Sequence, residues 1–240
     1  MTDPTDALVQ KIALAVMQTQ WQNDRDLAHQ MYALAVRESA VYANAKMPTA
    51  TAVRPSKYPG PGRLEMLERA LAMVTVKDGN YAEFGVYKGE TLAFIADRID
   101  AVAYGFDSFR GLSEDWFVDV KKGHFDLGGH APAIRTTQGN IRLVNGYFAD
   151  TIPEFKRAVP GPLAFMHIDC DLYESTKAIF EGLGDRIVPG TVIVFDEYLN
   201  YPGWQNHEYK AFQEFCAANG RSYEYKSFCP LWFSVALVMT

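Results

Sequence analysis

Cysteine is scarce in this chain, with three in 240 residues, Cys170, Cys216 and Cys229, and no C-x-x-C pair among them. An odd, scattered set excludes a disulfide framework and a zinc knuckle, and suggests a reduced, cytoplasmic setting where thiols fill core. Positive charge is also short. Lys and Arg number 23 against 29 Asp and Glu, for a net charge of -6, and no basic run offsets the deficit. Binding to nucleic acid or to an anionic membrane is therefore not expected. No apolar run approaches the ~20 residues that cross a bilayer. The opening MTDPTDALVQKIALAVMQTQ puts acids, not a basic leader, before its apolar positions, so it reads as an amphipathic helix rather than a signal peptide. The chain also lacks G-x-x-x-x-G-K-[ST], G-x-S-x-G and H-E-x-x-H, the marks of phosphate loops, serine elbows and zinc proteases.

Apolar residues are plentiful at 48%, enough to bury a full core in one large domain with an appendage. Leu8, Ile12, Ala15 and Val16 share one helical face, and Leu27, Met31, Leu34 and Ala35 repeat the pattern. These two helices would cover a cofactor cleft or form a homodimer contact. KMPTATAVRPSKYPGPG, with four prolines and two glycines, cannot continue a helix and reads as a linker, dividing residues 1–57 from a domain over 58–240. A helix follows through Leu64, Leu67, Leu71 and Val74.

From residue 80 the rhythm changes. Short apolar runs, NYAEFGV, AVAYGFD, IRLVNG, PLAFMHID and GTVIVFD, alternate with helical patterns, and two further strands close the chain. That alternation predicts a doubly wound, mostly parallel α/β sheet with right-handed crossovers. In YAEFGVYKGET, Gly85 and Gly89 sit where a strand hands over to a helix, the place where such sheets receive ligands. Tyr87 and Glu90 stand at the second and third glycine positions of a dinucleotide fingerprint, so a pyrophosphate could not come close. Asp107 lies 22 residues after Gly85 at the next strand's end, where an acid accepts hydrogen bonds from ribose hydroxyls. A nucleoside without a pyrophosphate fits both features. The structural alternative is that the glycines only permit a tight turn and Asp107 closes an Asx turn in DSFRG.

Two strands finish in acids, FMHID at Asp169 and TVIVFD at Asp196, with Glu197 next. If the strands are neighbours their tips lie roughly 5 Å apart, and like charges that close share a proton or a cation. Oxygen donors without a Cys/His set suit a hard divalent ion such as Mg2+. Asp171 is a candidate general base, able to take a proton from a hydroxyl held there. The structural alternative for Asp171 is an N-cap, with Glu174 completing a capping box. His167 shares strand parity with Asp169 but reads as a hydrogen-bonded core residue rather than a ligand.

EFGVYKGET, GFDSFRGL, NGYFADTIPEF, HIDCDLYEST and VFDEYLNYPGW, in this order, resemble the macrocin O-methyltransferase (TylF-like) family of class I S-adenosylmethionine-dependent methyltransferases. The resemblance covers about Gly60 to Phe215. It implies a Rossmann-like fold with a seven-stranded sheet and methyl transfer from S-adenosylmethionine to a hydroxyl of a small-molecule acceptor, such as a glycoside or other diol. Matched residue by residue, Glu83, Gly85 and Gly89 would lie around the methionine part of the cofactor, and Val86, Tyr87, Thr91 and Asp169 would also contact the cofactor. Asp107 and Ser108 would meet the ribose, and Phe109 with Gly146, Tyr147 and Phe148 the adenine. The same match implies Asp169, Asp196 and Glu197 as Mg2+ ligands and Asp171 as base, although the family's acidic pair is usually two aspartates and here it is Asp196-Glu197. A catechol or amine acceptor, a metal-dependent hydrolase and a non-catalytic cofactor-binding protein are the competing readings. Between residues 108 and 141, Trp116, Phe117, His124, Phe125 and His130 offer either an acceptor surface or packing for a long loop, and Trp204 either lines that surface or anchors a helix.

Overall fold

A computed structural model describes residues 25–58, 60, 62–117 and 120–240. The helix expected through Leu8, Ile12, Ala15 and Val16 lies outside the described residues. The second expected helix is α1 (Arg25–Lys46). After it come β1 (Thr51–Ala52), α2 (Arg63–Leu71), β2 (Asn80–Phe84), α3 (Glu90–Ala96), β3 (Ala103–Asp107) and β4 (Ile141–Asn145). The second half runs α4 (Phe148–Ala158), β5 (Leu163–Ile168), α5 (Tyr173–Leu183), β6 (Ile187–Phe195), α6 (Glu208–Asn219), β7 (Tyr223–Phe228) and β8 (Val235–Met239).

These strands form one sheet in the order β1-β7-β8-β6-β5-β2-β3-β4. All neighbours are parallel except β8, which runs antiparallel to both β6 and β7. The chain builds outward from β2 through β3 to β4, then returns to place β5 on the other side of β2. That reversal opens a crevice at the carboxyl ends of β2 and β5, where α/β sheets bind ligands.

The sheet has eight strands rather than the seven expected, because the proline-rich stretch supplies one. Thr51 and Ala52 pair with Ser227 and Phe228, and the Val53 N–H donates to the Phe228 carbonyl at 2.8 Å. Between Pro48 and Pro55 the chain has just enough unbroken residues to bond the β7 edge, and such very short edge strands limit unwanted pairing.

Both faces are covered, which is why β5 is buried at every position. On one face Phe84, Phe106, Ile168 and Phe195 pack against α4, α5 and α6 through Phe155, Phe180 and Phe212. On the other, Phe165, Val192 and Val194 meet α2 and α3 through Met66, Leu67, Leu92 and Ile95. Helix α1 docks on the first layer. Met31 and Ala35 are buried, the Ser39 hydroxyl accepts the Asn200 N–H at 2.8 Å, and Tyr42 meets Tyr225 hydroxyl to hydroxyl at 2.7 Å. Leu34, expected on the same face, is exposed.

Candidate functional site

Strand pairing sets Glu83 of β2 opposite His167 of β5. Both side chains are fully buried, and His167 Nδ1 lies 2.8 Å from Glu83 Oε2. Nε2 of the same ring is 3.9 Å from Asp196 Oδ1, beyond hydrogen-bond reach, and has no other partner. Burial works against charge on the ring, but the Asp196 and Glu83 carboxylates outweigh it and lift the His167 pKa to about 10. His167 is therefore a buried residue bonded to Glu83 beneath the sheet edge, the hydrogen-bonded role expected for it.

Just past the strand ends the acids gather. The Asp169 N–H bonds to the Phe84 carbonyl and the Asp196 N–H to that of Ile168, both at 2.9 Å, so the two turns continue the ladder side by side. Asp169, Asp171 and Glu197 each offer a carboxylate oxygen within 4.8 Å of the others. Asp171 and Glu197 are buried. Burial comes first in raising the Asp171 and Glu197 carboxyls well above the usual range, with charge on the neighbouring acids adding to it.

Asp196 is held separately. Its Oδ1 accepts from the Ser234 hydroxyl at 2.9 Å and its Oδ2 lies 3.0 Å from Arg63 Nε. Burial alone would raise it, but Arg63, His167 and Ser234 together hold it below the ordinary carboxylate range. Asp169 also pairs with Arg63, through Nη2, yet burial and the adjoining Asp196 charge leave it raised to about 6.

Arg63 and Glu208 are parts of the site that sequence reasoning missed. Arg63 opens α2 and reaches the acids from the Glu83/His167 side of the sheet. Glu208 opens α6 and is fully buried. Its Oε1 accepts the N–H groups of Cys170 at 3.3 Å and Asp171 at 3.2 Å, and its Oε2 that of Glu197 at 3.2 Å. One carboxylate thus ties both acidic turns together.

This clamp explains why the capping box at Asp171 does not form. Asp171 adopts a left-handed φ of 63°, and Leu172 caps α5 without a side-chain bond. With the Asp171 N–H bound to Glu208, its carboxylate joins the acid cluster instead of the helix amides.

The glycine turn is built around contact between main chains. Gly85 has φ 93°, and a Cβ there would lie 1.8 Å from the Asp169 carbonyl oxygen, so no other residue fits. The Val86 and Tyr87 N–H groups donate to Asp107 Oδ2, each at 2.8 Å, and the Phe109 N–H to Oδ1 at 2.7 Å. Asp107 therefore makes the Asx turn and also braces the glycine turn.

Around it, the Ser108 hydroxyl accepts the Arg110 N–H at 3.2 Å, and Val86 and Thr91 are buried. Tyr87 is partly exposed, with its ring edge-on to Phe125. Phe109 offers main chain only, because its ring is buried in the second core layer. Gly146 bonds the Asp107 carbonyl at 2.9 Å, Tyr147 is exposed, and Phe148 stands edge-on to Phe84 at 5.7 Å. The structure thus brings Glu83, Gly85, Asp169, Asp171, Asp196 and Glu197 together at the carboxyl ends of β2, β5 and β6.

The long loop folds onto the domain. Trp116 and Phe117 pack against Tyr201 at 5.4 and 5.2 Å, and the Tyr201 hydroxyl donates to the Glu197 carbonyl at 3.1 Å. Its aromatics therefore adjoin the acids. Trp204 is buried against Tyr42 and Tyr209, anchoring the turn before α6.

The residues present fit the groups the resemblance implies. Glu197 Oε2 is buried without a hydrogen-bond partner, and an all-oxygen donor set suits a hard divalent ion. The Gly85 turn, packed main chain to main chain on Asp169, sets the end of β2 beside these acids, where an α/β sheet receives a cofactor.

Residues 82–198 match the family model described as a methyltransferase domain. Over 143 residues the chain is 41% identical to the 8-demethyl-8-(2,3-dimethoxy-alpha-L-rhamnosyl)-tetracenomycin-C 4'-O-methyltransferase of Streptomyces olivaceus, covering 50% of this chain and 53% of that protein. It is 25% identical over 156 residues to the demethyldecarbamoylnovobiocin O-methyltransferase of Streptomyces niveus, covering 55% and 58%. The chain spans about half the length of these curated relatives. Among solved structures, a calicheamicin methyltransferase superposes with a TM-score of 0.55 at 20% identity, over 99% of this chain and 94% of that one. The O-methyltransferase NovP superposes with a TM-score of 0.55 at 19% identity, over 89% and 98%. The fold is that of these methyltransferases.

Proposed function

We propose that the chain is an S-adenosylmethionine-dependent, metal-assisted O-methyltransferase acting on a hydroxyl of a sugar or other diol in a secondary metabolite. The observation that carries this reading is the main-chain contact of the Gly85 turn with Asp169, the first member of a three-carboxylate cluster, which sets the end of β2 directly beside the acids. The relatives support the acceptor class, since the Streptomyces olivaceus enzyme is named for methylating a rhamnosyl group.

When bound, S-adenosylmethionine supplies an electrophilic methyl and the divalent cation supplies Lewis acidity at the acceptor. The chain's own residues do the rest. The Gly85 turn, braced by Asp107, would seat the methionine part. Asp169 and Glu197, with Asp196, would hold the cation, and Asp171 would take the hydroxyl proton as the oxygen attacks. Glu208 fixes the turns that carry these acids, the alignment on which an in-line transfer depends.

The three buried cysteines, none in a disulfide, support a reducing, cytoplasmic setting, and no helix among the described residues is long and apolar enough to cross a membrane. Self-association through the N-terminal helices belongs to the same reading. It rests on Leu34, Val36 and Val41, apolar side chains that α1 leaves exposed.

Calorimetry with S-adenosylmethionine and S-adenosylhomocysteine, with and without Mg2+, tests the core of the proposal. Both ligands should bind at one site per chain, and a glycosylated acceptor should be methylated in a Mg2+-dependent way that Asp169→Ala abolishes. Absence of binding by either ligand would overturn the assignment.

A further inference from the structure

Arg63 lies between two of the acids. Its Nη2 pairs with Asp169 Oδ2 and its Nε lies 3.0 Å from Asp196 Oδ2, so one guanidinium bridges the acids at the tips of β5 and β6. Two neighbouring carboxylates need such a positive charge between them. The bridge is made of two single contacts, one to each carboxylate. Arg63 Nε is buried but makes no aligned hydrogen bond, and the guanidinium spans two carboxylates rather than gripping one through the parallel pair of N–H bonds that makes Arg–carboxylate forks strong. The side chain is 29% exposed, which leaves a route back to water.

The acids are also incompletely neutralised by it. Glu197 Oε2, on the same turn as Asp196, is buried with no partner, and Asp169, Asp171 and Glu197 keep oxygens within 4.8 Å of one another. A compact divalent ion with more charge and a freer choice of geometry would satisfy oxygens that a planar guanidinium does not reach.

We infer that Arg63 is the built-in counter-ion of this pocket, joining Asp169 to Asp196 in the metal-free protein, and that a divalent cation binds by displacing its guanidinium. The inference rests on the metal-assisted reading above. The backbone need not move. Glu65 Oε1, in the first turn of α2, accepts the N–H groups of Ser56, Lys57 and Tyr58 at 2.8, 3.0 and 3.1 Å, which pins the preceding segment to the helix. Displacement is then a rotation of one side chain. Arg63 would preserve the acid pocket without metal, at the cost of weakening the metal's apparent affinity by competition.

Titration of the cofactor-free protein with MgCl2, and separately with MnCl2, compares wild type with Arg63→Gln and Arg63→Lys. Arg63→Gln should bind Mg2+ at least tenfold more tightly than wild type, and Arg63→Lys should stay close to wild type. If Arg63→Gln folds only with metal present, melting curves at graded Mg2+ carry the comparison, and its midpoint should rise further than that of wild type. A direct readout is the Arg63 Nε–H resonance, assigned by its loss in the Gln variant. Saturating Mg2+ should move it toward the solvent-exposed arginines and speed its exchange with water. An unmoved resonance, or equal or weaker Mg2+ binding by Arg63→Gln, would overturn the displacement alone. Failure of both ions to bind either protein would overturn the metal reading and the displacement with it.

Discussion

Replacing Glu208 should loosen the candidate site from behind, through main chain rather than through any group that meets a substrate. Its two oxygens accept the N–H groups of Cys170, Asp171 and Glu197. In Glu208→Gln the amide oxygen can keep the Cys170 and Asp171 bonds, but the NH2 group faces the Glu197 N–H, donor against donor. One buried N–H left without a partner costs about 1–3 kcal/mol. Protonation of Glu208 does not remove this difference, because a carboxyl oxygen still accepts and an NH2 group does not. Glu208→Ala strands all three N–H groups and adds a cavity, so its loss should exceed that of Gln severalfold, less whatever entering water restores. Urea unfolding reads this directly. With m near 2–3 kcal/mol per M for a domain of this size, the Gln variant should unfold roughly 0.3–1.5 M earlier and the Ala variant earlier still. Turnover should fall in both, with cofactor affinity largely kept. An unchanged urea midpoint in Glu208→Ala would refute the clamp.

Three further perturbations separate the parts of the site. Gly85→Ala forces a Cβ against the Asp169 carbonyl at a left-handed φ. It should cost more than about 3 kcal/mol by urea unfolding, and a loss under about 1 kcal/mol would contradict the close contact. Asp171→Asn should bind S-adenosylhomocysteine as wild type does while kcat drops by about 10²–10⁴; equal losses in binding and turnover would move Asp171 from chemistry to structure. His167 carries a pKa of about 10 against an ordinary 6.5, so the stability its charge contributes is complete below about pH 6.5 and is lost as pH rises through 10. Thermal melts from pH 7 to 10 should fall more steeply for wild type than for His167→Gln, and parallel slopes would show that the imidazolium contributes nothing.

The sheet was legible because its evidence is periodic. Runs such as LAFMHI and TVIVF, set between helical patterns, announce strands buried on both faces, and the acids that end them mark the carboxyl edge. The two-residue β1 was not legible, since Thr51 and Ala52 make no run and owe their strand state to the β7 edge beside them. Arg63 was hidden for a similar reason. It lies 106 residues from Asp169 in sequence, next to a proline-glycine stretch, and only the packing of α2 on the Glu83 face brings it to the acids. Glu208 left no pattern either, because a side chain that binds main chain leaves no complementary residue to find. The capping box at DLYE failed in consequence. Its spacing was right, but the local bond it offers Asp171 competes with a tertiary one from Glu208, and the tertiary bond prevails.

The division of labour among the acids follows from what each carboxylate already holds. Asp107 is committed to three N–H groups of its own and the glycine turn, Glu208 to three across the acidic turns, and Glu83 to His167. Carboxylates with that much hydrogen bonding have little capacity left for another ligand. Asp169, Asp171 and Glu197 differ, because Arg63 reaches only Asp169 among them and Glu197 keeps an oxygen with no partner. Burial raises all three carboxyls, as it does Glu208, but of the four Glu208 has both oxygens taken up by main-chain N–H groups. The acids bound to main chain build the walls, and those with oxygens to spare are the ones we assign to the chemistry.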